Sequence, residues 1–215
     1  EEQIQRQLQW LSALRAVDVA ISGSLDLRVT LSVLLDQVVG QLEVDAADVL
    51  LLKPQTQTLE YAAGRGFRTL ALQHTRLRLG EGYAGRAALE RNIVSVPDLP
   101  DATGGFPASS LVGGEGFVAY YAVPLIAKGE IKGVLEVFDR DKLDPDEQWL
   151  DFLEALGAQA AIAIDNAALF DQLQRANLDL TLAYDTTLEG WARALELRDR
   201  ETEGHTQRVT EMTMR

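Results

Sequence analysis

Along the first 22 residues the apolar positions Trp10, Leu14, Val17 and Ile21 recur at steps of four, three and four, with Glu1, Gln5, Arg6 and Gln9 on other faces. That spacing predicts an amphipathic helix over residues 1–22. Gly23 interrupts the pattern, and Ser24 or Asp26 can cap a second helix, "LRVTLSVLLDQVVGQL". Its β-branched residues lower intrinsic helix propensity, so burial must hold it. The period then changes. "DVLLL" and "TLEYAA" are apolar runs of strand length on either side of "KPQTQ", which predicts a hairpin. "TRLRL" alternates as a half-exposed strand, "YAGRAALERN" is a short helix, and "IVSV" is a strand closed by Pro97. "FVAYYAVPLIA" and "IKGVLEVFD" flank "KGE" as a second, longer hairpin.

From about Glu147 a helix runs for roughly fifty residues without Pro or a good stop. Leu169, Leu173, Ala176, Leu180 and Ala183 repeat at heptad steps; the phase then slips, and Tyr184, Leu188, Trp191 and Leu195 continue it. A stripe this narrow on so long a helix calls for a partner helix. Helix, helix, antiparallel sheet with one inserted helix and long exit helix make an α+β fold, because hairpins rather than repeated βαβ units supply the strands.

Composition narrows the function classes. With 47% hydrophobic and 25% charged residues, the chain is of globular type. Its 20 basic against 33 acidic residues give a formal charge of -13, which opposes nucleic-acid binding. No apolar run approaches the roughly 18 to 20 residues of a membrane span, so no membrane contact is expected. The absence of cysteine excludes disulfides, thiolate metal sites and thiol nucleophiles, and fits a cytoplasmic location. The start lacks a signal-peptide pattern and an initiator Met, which we read as a segment of a longer protein.

Two motifs invite chemistry. "GEGYAG" satisfies G-x-G-x-x-G at Gly80, Gly82 and Gly85, with Asp98 further on. The preceding strand is half exposed, the helix is short and no second βαβ unit follows, so the glycines are read as a tight turn into a helix. Glu201 and His205 stand one helical turn apart on one face, and both are suitable ligands for iron, manganese or zinc. Two ligands make half a site at most, since a catalytic centre needs about three plus an open position. His74 has no partner in sequence and is expected on a surface loop. Residues 98–116, rich in Gly, Pro and Ser, are long enough for a functional lid.

Three segments, "LRLGEGYAGRAALERNIVSVPDL", "AVPLIAKGEIKGVLEVFDRD" and "LEALGAQAAIAIDNAALFDQL", together resemble a GAF domain over about residues 23–168. That resemblance implies a GAF-like antiparallel sheet flanked by helices, acting as a regulatory module that binds a small molecule or dimerises and signals through a helix. Bilin attachment through Cys is excluded, and the Asn-Lys of cyclic-nucleotide-binding members is missing from "FDRDKLDPDE". Phe67, Tyr83, Phe106, Phe117, Tyr120 and Tyr121 are candidates to line a pocket for an unidentified ligand, with Arg86 as an anion partner.

The stretch "GWARALELRDRETEGHTQRV" resembles the opening helices of HD-GYP phosphohydrolases, which hydrolyse cyclic di-GMP on a cluster of metals, often iron or manganese. Glu201 and His205 match a Glu and a His of that cluster; the His-Asp pair and Gly-Tyr-Pro are absent from this chain. The resemblances imply a signalling helix at 1–22, a GAF sensor at 23–168, a linker helix at 169–190 and the truncated start of an HD-GYP domain at 191–215. No cofactor or catalysis is expected of this chain itself, and a divalent metal is expected only in the full-length protein. A homodimer would pair parallel helices through Trp10, Leu14, Val17, Leu169, Leu173 and Leu180. Two alternatives stay open: phosphohydrolase activity in the chain itself, and a ligand-free dimerisation spacer.

Overall fold

The computed structural model describes residues 2–24, 26–99 and 114–213, with side chains described from residue 5 to 195 within those limits and at 208, 210 and 212. The chain divides into two units, Glu1–Ala168 and Leu169–Arg215. The first holds helices α1 (Glu2–Gly23), α2 (Leu27–Leu42) and α3 (Gly82–Glu90). Its strands are β1 (Ala46–Lys53), β2 (Thr58–Arg65), β3 (Arg76–Arg78), β4 (Val94–Val96), β5 (Ala119–Ala127) and β6 (Glu130–Asp139). Helix α4 (Glu147–Thr213) gives its start, as far as Ala168, to this unit; its remainder is the second unit.

The six strands form one sheet in the order β3-β2-β1-β6-β5-β4, and every pairing is antiparallel. Bulges fall between Val49 and Leu50 and between Leu125 and Ile126; such irregularities add local twist and help a sheet curl. The β5–β6 turn places both Lys128 and Gly129 at positive φ (52° and 78°), the conformation that suits the right-handed twist of a two-residue hairpin.

Strand alternation separates two cores. On one face Val49, Val123, Leu125, Leu135 and Val137 pack under α1, α2 and α4. α2 buries Leu31, Leu34, Leu35, Val38 and Leu42, an i, i+3, i+4 stripe in which each full Leu burial is worth about 1.5–3 kcal/mol. Asp26 caps that helix, its carboxylate accepting from the Arg28 N–H at 2.9 Å, while Ser24 Oγ accepts from the Asp26 N–H at 3.1 Å. Helix α4 contributes Phe152, Leu153, Leu156 and Ile164. Gly157 lets it approach the sheet, since a Cβ there would sit 3.0 Å from Val123 Cγ1. Trp149 Nε1 donates to the Leu42 carbonyl at 3.2 Å, tying α4 to the end of α2.

The apolar stripe of α1 is used inside the chain. Trp10 stacks on Phe152 with centroids 4.6 Å apart and planes within 5°, Val17 is fully buried, and Leu14 packs half-buried on the same core. Its outward face carries Leu8, Leu11 and Val19 instead. A 3-10 turn at Ala71–His74, which the hydrophobic pattern does not signal, precedes β3, and His74 is exposed there. No helix among the described residues is long and apolar enough to cross a membrane.

Candidate functional site: a buried carboxyl pair beneath α3

The second face of the sheet packs against α3. "GEGYAG" builds the entry to that helix: Gly80 and Gly82 take φ of 84° and 64°, and the Gly80 N–H donates to the Gly85 carbonyl at 2.8 Å. A Cβ on Gly85 would fall 2.5 Å from the Arg78 carbonyl oxygen, so the third glycine exists for close helix–strand approach. The helix then presents Tyr83, Ala84, Ala87 and Ala88 to the sheet.

Five of the pocket candidates lie at or beside this face. Tyr83 and Tyr120 are in ring contact at 5.5 Å, Phe138 touches Tyr120, Phe117 and Phe67 at 4.9–5.5 Å, and Phe67 meets Phe117 edge-on at 5.9 Å. Arg86 is exposed, its guanidinium 5.7 Å from the centroid of the Tyr83 ring. Tyr121 is on the opposite face, against Trp149 at 5.4 Å, because consecutive residues of β5 point to opposite sides. Phe106 lies outside the described residues, as does most of the candidate lid.

At the centre of this face stand two acids that aromatic patterning does not reveal. Asp48 on β1 and Glu136 on β6 are register partners, exposed by only 0% and 4%. Tyr120 donates its hydroxyl to Glu136 Oε1 at 2.6 Å. Among the described residues no donor reaches either oxygen of Asp48, whose carboxyl faces that of Glu136. None of the ion pairs among the described residues involves either acid.

Burial, then the neighbouring Glu136 charge, push Asp48 well above the usual carboxylate range. Burial also raises Glu136, while hydrogen bonds from Tyr120 and Asp48 hold it back. The pair therefore shares a proton, with Asp48 as the protonated member and Glu136 accepting from both sides. Burial and the Glu136 charge together raise Tyr120 well above the ordinary phenol value.

A third buried acid shows what full satisfaction looks like. Glu115, 0% exposed, accepts from the Arg68 N–H at 2.9 Å and from the Thr69 N–H and hydroxyl at 2.7 and 2.8 Å. Arg140 adds a 3.1 Å pair to it while also holding Asp45. Burial alone would raise Glu115, yet these donors outweigh it and lower the carboxyl. That is a structural solution; Asp48 has none of it.

The Glu201–His205 side chains lie outside the described residues. Among the described residues no three metal-binding side chains cluster. A small concavity lined by Ile21, Ser24, Leu27, Thr30, Ala163, Asn166 and Ala167 lacks charged groups and offers little specific recognition.

The sheet order, the helices on each face and the α3 crossover agree with what comparison with known proteins finds: the GAF domain model matches residues 24–165. The chain belongs to the GAF domain family. Its fold is similar to the GAF domain of an Acinetobacter phosphoenolpyruvate-protein phosphotransferase (TM-score 0.64, 24% identity, covering 76% of this chain and 97% of that one). It is also similar to a free methionine-R-sulfoxide reductase from Neisseria meningitidis, solved with its substrate (TM-score 0.62, 18% identity, 74% and 90% covered). A domain of a sensor histidine kinase protein from Sinorhizobium meliloti gives a TM-score of 0.53 at 20% identity, covering 64% of this chain and 90% of that one. No curated protein sequence matches it.

GAF domains are regulatory sensor modules of signalling proteins. In this GAF domain β6 carries Glu136 on the α3 face and Lys132 on the other. Lys132 Nζ lies 2.9 Å from Asp165 of α4, and Lys128 Nζ lies 3.0 Å from the same carboxylate. One strand thus joins the carboxyl pair to the helix that leaves the domain.

Proposed function

We propose that this GAF domain senses a small molecule and dimerises, and that α4 carries its state to a C-terminal HD-GYP phosphodiesterase acting on cyclic di-GMP in the cytoplasm. The observation that carries the reading is the stripe on α4. Leu169, Leu173, Leu180, Tyr184, Leu188, Trp191 and Leu195 are 45–68% exposed, yet keep the spacing of a helix–helix seam. Burying each Leu against a second copy is worth up to about 1.5–3 kcal/mol, so two parallel α4 helices are favoured over one left in water. Parallel pairing would set two output domains side by side. A ligand that shifts β6 would change the purchase of Lys128 and Lys132 on Asp165, and so the start of the seam.

The output assignment rests on the resemblance of "GWARALELRDRETEGHTQRV" to HD-GYP proteins, with Glu201 and His205 as two ligands of an iron or manganese centre completed beyond Arg215. It is tested by assaying cyclic di-GMP hydrolysis and bound metal in this chain and in its C-terminally extended parent. The reading expects metal and turnover only in the parent, both reduced by H205N. Turnover by the chain alone, or a metal-replete parent indifferent to H205N, would refute it.

A further inference from the structure

Apart from the proton it shares with Glu136, Asp48 has no hydrogen-bond partner among the described residues, although it is fully buried. Desolvating a polar group without full hydrogen bonding costs about 1–3 kcal/mol, and the same domain surrounds Glu115 with donors. A cost retained at one place needs a compensating use.

The surroundings of the pair define what would relieve it. Across the sheet the row reads Gly64, Asp48, Glu136, Ala122, so the acids are flanked by a residue with no side chain and one with a methyl group. α3 covers the face largely with alanines. Among the described residues the titratable groups that face the pair are Tyr61 from β2, Tyr120 from β5 and Tyr83 from α3, all phenols and none a cation. Tyr61 is half-buried and its hydroxyl lies over Gly64, the strand neighbour of Asp48, where a Cβ would meet it at 2.6 Å. Burial and the Asp48 charge both raise its pKa. Tyr61, Gly64 and Phe67, all half-buried, thus form the partly exposed side of the face that holds Asp48.

We infer that Asp48 and Glu136 are the recognition site for the ammonium or amidinium group of a small organic cation, held between the two carboxylates with its apolar stem among the rings of Tyr61, Phe67 and Phe138. An inorganic divalent ion is disfavoured because only two carboxylates converge, with no third ligand of metal-binding type among the described residues. Aromatic faces beside carboxylates suit an organic cation, which gains from both the charge and the ring quadrupoles. An anion is opposed by both acids. Binding converts the shared-proton pair into two carboxylates flanking one positive charge, and the proton that leaves Asp48 passes to the solvent. This inference rests on reading the domain as a ligand sensor and names the class of its ligand.

The test uses the whole chain and three probes of one shape: n-butylammonium, n-butanol and butyrate. Calorimetric titration in two buffers of different ionisation enthalpy reports both affinity and protons exchanged. The ammonium is expected to bind at least about tenfold more tightly than the alcohol, to release about one proton near neutral pH, and to raise the melting temperature. D48N and E136Q should each remove that preference and the proton release while the domain remains folded by circular dichroism. Equal binding of alcohol or butyrate would overturn the cation while leaving a sensor. An ammonium preference that survives D48N would overturn the site. Failure of every probe, with the chain still dimeric, would overturn the inference and leave the dimerisation reading standing.

Discussion

Replacing Asp48 by Asn tests the shared-proton pair through stability alone. The amide keeps the size of the carboxyl and donates to Glu136 at every pH, so the variant needs no captured proton. The sign follows from linkage. Asp48 is raised in the folded state; below the ordinary carboxylate pKa of about 3.9 it is protonated whether folded or not, and contributes nothing. As pH rises through that value the unfolded chain releases the proton while the folded chain holds it, and stability falls until the folded pKa is passed. Each unit of upward shift costs about 1.4 kcal/mol, and desolvating a buried polar group costs on the order of 1–3 kcal/mol. D48N should therefore be more stable than the native protein by about 1–3 kcal/mol at pH 7, or roughly 2–12 °C in melting temperature for a chain of this size. Near pH 4 the two should nearly coincide. Urea unfolding at both values provides the comparison, and taking the difference between the proteins cancels the carboxylates that are not coupled to the pair. A D48N protein less stable at pH 7, or a difference that does not change with pH, would refute the shared proton.

Three further outcomes follow from single contacts. G85A forces a methyl to within 2.5 Å of the Arg78 carbonyl and should cost about 1–3 kcal/mol in chemical unfolding; a neutral result would mean that α3 is free to move off β3. R140M removes the guanidinium from Glu115, which is 0% exposed, and from Asp45; about 2–4 kcal/mol should be lost at pH 7. Because Glu115 is lowered in the folded state, its contribution is present above the unfolded pKa and disappears as pH falls through the folded value, so R140M should cost least in acid. K132M loosens Asp165, which also keeps Lys128, and should cost only about 1 kcal/mol in urea unfolding; a loss several times larger would mean that Lys128 does not hold Asp165 by itself.

The hydrophobic period was enough to place the sheet and the helices, because runs such as "DVLLL" and "IKGVLEVFD" have strand length and α2 carries a clean i, i+3, i+4 stripe. It could not say which core each side served. Tyr120 and Tyr121 look alike as neighbouring aromatics, yet one faces α3 and the other faces α4. The stripe of α1 could equally have met a second chain, and in the structure it is met by Phe152. The carboxyl pair had a signal of its own: Asp48 is the one acid of β1 and Glu136 interrupts the apolar run "VLEVF" of β6, both at alternation positions that point inward. Only the register of β1 against β6 makes them neighbours, and a long-range pairing of this kind is not local information. Conversely, the turn role of "GEGYAG" was legible, since its half-exposed strand and short helix left no room for a dinucleotide fold.

Light scattering on the purified chain at high micromolar concentration tests directly whether α4 pairs with a second copy. Pairing gives twice the chain mass of 23.6 kDa, falling to one chain mass when Leu173 and Leu180 are replaced by Glu, with the circular dichroism of the GAF domain retained. A strict monomer at that concentration, or a dimer indifferent to L173E and L180E, would contradict it.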